Sequence, residues 1–187
     1  MNTKKWLTVP NLLSVFRIVL IPVFVLVFLE SESDTIAFWP IAVLVLSGLT
    51  DLCDGFIARK FNQVSDVGKM LDPAADKLTQ AAVIACLSIR FPSLLILLII
   101  YVVKELSMLI GGVVLLKYKK QVPAAKWYGK VSTFEMYTAM LLFLLFPNMT
   151  EPYVTILLAV SAALVLFACI MYLFNFFILH TKKGETK

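Results

Sequence analysis

The sequence predicts an all-α integral membrane protein of six transmembrane helices with a short N-terminal interfacial segment. Three observations carry that reading. Hydrophobic residues make up 60% of the 187 residues and charged residues only 16%, more apolar surface than a soluble domain of this size can bury. The apolar residues gather into six runs, each near the about 20 residues that a helix needs to cross a bilayer. Basic residues gather in alternate connections between those runs, as the positive-inside rule requires. We read residues 1–187 as a single membrane domain.

Met1 to Pro10, with Lys4, Lys5 and Trp6, reads as an interfacial lead-in whose cations meet anionic head groups. The six spans follow at Leu12 to Leu29, Ile36 to Asp51, Leu71 to Ile89, Ser93 to Leu116, Val131 to Phe146 and Tyr153 to Leu179. Acidic and Ser-rich residues from Glu30 to Asp34, Phe91-Pro92, the basic stretch Lys117 to Lys130, and Pro147 to Pro152 punctuate them. Leu12 onward reads as a retained helix rather than a signal peptide, because the run is long, contains Arg17 and lacks a small-residue cleavage pattern.

One set of flanks holds Lys4, Lys5, Arg59, Lys60, Lys69, Lys117, Lys119, Lys120, Lys126, Lys130, Lys182 and Lys183. The other holds Arg90 with Glu30, Glu32, Asp34 and Glu151. Both termini are therefore expected in the cytoplasm, and the compact chain suggests a bacterial inner membrane. The net charge of +5 is accounted for by head-group contact, so nucleic acid is not expected as a partner. Cys53, Cys86 and Cys169 stand singly, which excludes a disulfide framework or a zinc site and leaves them as small core residues.

Chemistry concentrates where the second run meets the third. Asp51 and Asp54 are i, i+3 neighbours, and Asp72 and Asp76 are i, i+4 neighbours, so each pair shares a helix face. Ionisable groups at membrane depth are costly and mark function. Four facing carboxylates repel one another unless cations neutralise them. All-oxygen ligands suit a hard divalent ion, Mg²⁺ or Mn²⁺, and such ions favour phosphate-containing substrates.

The string D-x2-D-G-x2-A-R-x8-G-x3-D-x3-D is matched at all eight fixed positions by Asp51, Asp54, Gly55, Ala58, Arg59, Gly68, Asp72 and Asp76. It resembles the signature of the CDP-alcohol phosphatidyltransferases. The resemblance extends along most of the chain. Pro10-Asn11-Leu-Leu-Ser14-Val-Phe-Arg17, Leu71 to Leu78 and Gly129-Lys130-Val-Ser-Thr133 look like the phosphatidylglycerophosphate synthase branch.

That resemblance implies transfer of a phosphatidyl group from CDP-diacylglycerol to an acceptor hydroxyl, with release of CMP. It implies two ions, bridged by Asp51 and Asp72, with Asp54 completing the first and Asp76 the second. Asp76 is also implied as the proton acceptor. Substrate contacts are implied at Gly55, Ala58, Arg59, Gly68, Ser65, Asn11 and Ser14, Gly55 admitting the nucleotide and Arg59 holding the pyrophosphate. The resemblance also implies a homodimer.

The acceptor side departs from the branch pattern. Lys104-Glu105 stands where Arg-Glu is usual, and Ile110-Gly111-Gly112 supplies no second Arg. Lys is a point charge without the bidentate fork of Arg. Lys126 and Lys130 are the further candidates for an acceptor phosphate. Glycerol 3-phosphate is the first expectation, with phosphatidylglycerol, as in a CMP-forming cardiolipin synthase, or an inositol phosphate as alternatives. More distant readings are a membrane prenyltransferase, whose second Asp-rich motif has no counterpart here, and a divalent-cation transporter, which leaves the Gly and Arg of the signature unexplained.

Overall fold

A computed structural model describes residues 8–31, 36–60, 68–117 and 127–181. They form six helices: α1 (Val9–Glu30), α2 (Phe38–Lys60), α3 (Gly68–Arg90), α4 (Leu94–Lys117), α5 (Trp127–Leu145) and α6 (Glu151–Thr181). Most of the interfacial lead-in lies outside the described residues; Val9 and Pro10 already belong to α1.

Most of the helices outrun the apolar segment that announced them at one end or both. The second continues past Asp51 to Lys60 and the third starts at Gly68, ahead of Leu71. An apolar run stops at a charge, whereas a helical backbone continues through Asp, Lys or even Gly at a cost of about 1 kcal/mol or less per residue. Three segments, Val9–Glu30, Leu94–Val114 and Glu151–Asn175, are long and apolar enough to cross a membrane, with a shorter apolar stretch at Phe38–Asp51. α3 carries Lys69, Asp72, Asp76, Lys77 and Arg90, and the first half of α5 is polar. The exposed surface is strongly apolar, including Leu12, Val19, Leu26, Ile99, Leu109, Ile156 and Ile170. Lipid is the medium in which such a surface is stable.

The described residues fall into two compact units. In the first, residues 1–92 with 141–148, α1 packs against both α2 and α3. Thr8 caps α1 by accepting from the Asn11 N–H at 3.4 Å, with Pro10 in the first turn, where its missing N–H costs nothing. The buried stripe of α1 is Pro10, Asn11, Ser14, Arg17, Leu20, Phe24 and Phe28, helical spacing that turns from polar to apolar along its length. At the far end of α3, Arg90 Nη2 donates to the Ser31 carbonyl at 3.0 Å and to Ser31 Oγ at 2.6 Å. Its guanidinium also stacks 4.4 Å from the Phe28 ring. The ends of α1 and α3 therefore coincide, and the two helices run in the same direction.

In the second unit, residues 93–140 with 149–187, α4 packs on α6. Ser161 Oγ donates to Glu135 Oε1 at 2.7 Å between α6 and α5, and Asn175 Nδ2 donates to Tyr128 Oη at 3.0 Å. Hydrogen bonds of this kind hold helices together where lipid removes most of the hydrophobic drive. The Tyr128 and Tyr172 rings meet edge to face at 4.8 Å. Gly129 makes that contact possible, since a Cβ there would lie 2.3 Å from Tyr172 Oη.

The cysteines are free, as expected, but only Cys86 is buried; Cys169 is intermediate and Cys53 is exposed. Cys53 stands two residues from Asp51, which turns it to the far side of α2 from the acidic face.

Gly129→Ala is expected to destabilise the protein by about 1–3 kcal/mol through overpacking, read as a lower Tm in detergent. Adding Tyr172→Phe, which removes the clashing oxygen, should recover part of the loss; no recovery would show that Gly129 is needed for something else.

Candidate active site

Three of the four expected carboxylates converge. One carboxylate oxygen from each of Asp51, Asp54 and Asp72 lies within 4.8 Å of the others. The last turns of α2 supply the first two and the opening of α3 supplies the third. Helical spacing puts Asp51 and Asp54 on one face of α2. The side chains of Asp51 and Asp72 are 45% and 44% exposed, whereas that of Asp54 is 5% exposed. One carboxylate thus anchors the group from inside while two remain open to an incoming ion or substrate.

Between them lies Arg17 of α1, outside the acidic signature. Its Nη1 donates to Asp51 Oδ1 at 2.6 Å, and its Nη2 donates to Asp54 Oδ2 at 3.0 Å and to Asp72 Oδ1. Arg17 is 1% exposed, and its buried Nε has no partner among the described residues. The signal for it was present: an Arg within an apolar run must find partners, because its charge cannot be removed. Among these four groups, three carboxylates against one guanidinium leave an excess of two negative charges. A compact all-oxygen donor set with that excess fits a hard divalent cation.

Asp76 lies outside the group of three. It stands one turn further along α3, about 6 Å of helical rise from Asp72, and its Oδ2 accepts from Gln80 Nε2 at 3.1 Å. Gln80 is buried and was not singled out in the sequence. Asn11 and Ser14 are buried on the same stripe of α1 as Arg17. Ser14 Oγ donates to the Pro10 carbonyl at 3.1 Å. Gly55, Ala58 and Arg59 lie on α2 and Gly68 opens α3. The side chains of Ala58 and Arg59 fall outside the described residues, as do Ser65 and Lys126 entirely.

The remaining candidates belong to the second unit. Lys104 is buried on α4, its Nζ donating to Glu105 Oε1 at 2.7 Å and standing 5.5 Å from the Tyr101 ring centroid. Its charge is already matched by its neighbour. Lys130 is exposed in the first turn of α5.

Three clustered carboxylates in an apolar helical protein are suited to a divalent ion and so to phosphoryl chemistry in a membrane. The family described as CDP-alcohol phosphatidyltransferase matches residues 7–179, and the chain belongs to that family. A Streptomyces coelicolor protein named cardiolipin synthase (CMP-forming) is 35% identical over 149 residues, covering 77% of this chain and 68% of that one. A Shigella flexneri protein named CDP-diacylglycerol--glycerol-3-phosphate 3-phosphatidyltransferase is 33% identical over 176 residues, 88% of this chain and 92% of its own. A Mycobacterium tuberculosis relative is 51% identical over 77 residues, which span only 35% of that protein. Family membership sets aside the prenyltransferase and transporter readings.

Loss of Asp54 removes the most buried of the three carboxylates on Arg17, so Asp54→Ala is expected to cost about 1–3 kcal/mol. Asp51→Ala, at a half-exposed carboxylate, should cost about 1 kcal/mol or less. Thermal unfolding in detergent separates the two; equal losses would contradict the burial-based ranking.

Proposed function

We propose that the protein transfers the phosphatidyl group of CDP-diacylglycerol to the hydroxyl of glycerol 3-phosphate and releases CMP. The carrying observation is the convergence of Asp51, Asp54 and Asp72 in a chain that matches this family over nearly its whole length. The near full-length match to a relative named for that acceptor supports glycerol 3-phosphate.

In this reading Asp51, Asp54 and Asp72, with Asp76, hold two divalent ions, Mg²⁺ or Mn²⁺. When bound, the ions supply Lewis-acid stabilisation of charge on the phosphoryl group and on the departing CMP. Asp76 accepts the acceptor's hydroxyl proton as its oxygen bonds to the lipid-linked phosphorus and the bond from that phosphorus to the CMP oxygen breaks. Gln80, by donating to Asp76 Oδ2, orients that carboxylate. Arg59 and Ser65, with Asn11 and Ser14, contact the nucleotide lipid, and Lys104, Lys126 and Lys130 contact the acceptor. The chain acts as one domain with six spans, in a bacterial inner membrane. Both termini and the acidic end face the cytoplasm, as the distribution of basic residues supports, and the family resemblance supports a homodimer.

A second reading keeps the chemistry and takes phosphatidylglycerol as acceptor. It is favoured by the Streptomyces relative and by the internal pairing of Lys104 with Glu105, which leaves that Lys less charge to offer an acceptor phosphate.

Purified protein is expected to release CMP from CDP-diacylglycerol with Mg²⁺ and not with chelator. Glycerol 3-phosphate alone as productive acceptor would establish the first reading, phosphatidylglycerol alone the second, and no release with any alcohol would overturn both. Lys104→Arg is expected to change KM for the acceptor at least about threefold while leaving that for CDP-diacylglycerol unchanged, given the different donor geometry of the two side chains. A change confined to CDP-diacylglycerol would remove Lys104 from the acceptor side.

A further inference from the structure

Arg17 reaches the same three carboxylates that are best placed to hold a divalent ion. It brings a charge that no accessible pH removes, and it comes from α1, a helix outside the acidic signature. From 1% exposure it donates to Asp51 and Asp54 on α2 and to Asp72 on α3. Its Nε makes no further bond among the described residues, so no fourth contact must break if the two terminal nitrogens leave the carboxylates. A guanidinium and a divalent cation draw on the same oxygen lone pairs, and each lowers the attraction those oxygens have for the other.

We propose that Arg17 is a resident counterion of the site. It clamps α1, α2 and α3 together while the carboxylates hold no ion, and it yields those oxygens when an ion arrives. Arg17 is thus a positioning residue with two opposed effects. It stabilises the ion-free protein, where three carboxylates within 4.8 Å would otherwise repel, and it weakens the site's affinity for the ion. The inference rests on the divalent-ion reading above, but its signature is separable from catalysis.

The test uses the full chain in detergent, with Mn²⁺ binding followed by the loss of the free-ion EPR signal and unfolding followed by Tm. Arg17→Gln is expected to tighten the Mn²⁺ Kd by about tenfold or more, because a positive charge in contact with the ligands is removed. The same variant should unfold at a lower temperature than the parent in chelator, and saturating Mn²⁺ should recover most of that deficit through preferential binding to the folded state. Arg17→Lys, which keeps the charge and loses the fork, should fall between the two. Unchanged or weaker Mn²⁺ binding by Arg17→Gln, or a Tm deficit that is the same with chelator and with Mn²⁺, would overturn the proposal.

The parent protein provides a measurement that needs no variant. The chain has three arginines, Arg17, Arg59 and Arg90, so their Nε–H resonances form a small set in a ¹⁵N-labelled sample. Assigned by Arg17→Lys, the Arg17 signal is expected to shift on addition of Mg²⁺, and a signal that does not move while Mg²⁺ binds would count against displacement. Failure of the unsubstituted protein to bind Mn²⁺ at all would instead remove the divalent-ion reading, and this inference with it.

Discussion

In the ion-free protein the Arg17 guanidinium, 1% exposed, is stabilised by the three carboxylates that surround it. That pairing sets the register of the first unit. Arg17 is two turns into α1, Asp51 and Asp54 are near the end of α2, and Asp72 is at the start of α3. Bringing these to one level fixes α1 and α3 in the same direction with α2 opposed. The clasp of Arg90 on Ser31 satisfies the same arrangement at the other end. A slip of one residue in any helix would rotate its charge by about 100° and strand it against apolar neighbours.

The interior of this unit is accordingly divided along its length. At one end the buried polar residues are Asn11, Ser14 and Arg17 on α1, Ser47, Thr50 and Asp54 on α2, and Thr79 and Gln80 on α3. At the other end they are Leu20, Phe24 and Phe28, then Ala37 and Leu44, then Val83, Ile84 and Leu87. The apolar end supplies packing that does not depend on charge. It lets the acidic end keep Asp51 and Asp72 half exposed. The second unit uses a hydroxyl–carboxylate contact, Ser161 with Glu135, and an ion pair between sequence neighbours, Lys104 with Glu105.

Much of the protein was legible in the chain. The apolar runs announced the helices, and in three of them a stretch long and apolar enough to cross a membrane matches the length that hydrocarbon thickness imposes, although charges at the run ends hid where the helices stop. The i, i+3 and i, i+4 spacings announced which carboxylates share a face, because a helix is periodic whatever surrounds it. Asp72 and Asp76 share a face of α3 one turn apart, and Asp72 is the one that joins the three-carboxylate group with the pair on α2.

What the sequence by itself determined is what depends on neighbours along the chain: helical class, membrane solvent, the acidic faces and the family signature. Tertiary structure decided what depends on partners distant in sequence. Arg17 and Asp51 are 34 residues apart and Arg17 and Asp72 are 55 apart, so no local pattern marks the pairing that joins three helices. The packing of Tyr172 over Gly129 was hidden for the same reason. A glycine within a helix reads as a weakness until the side chain that occupies its missing Cβ is known.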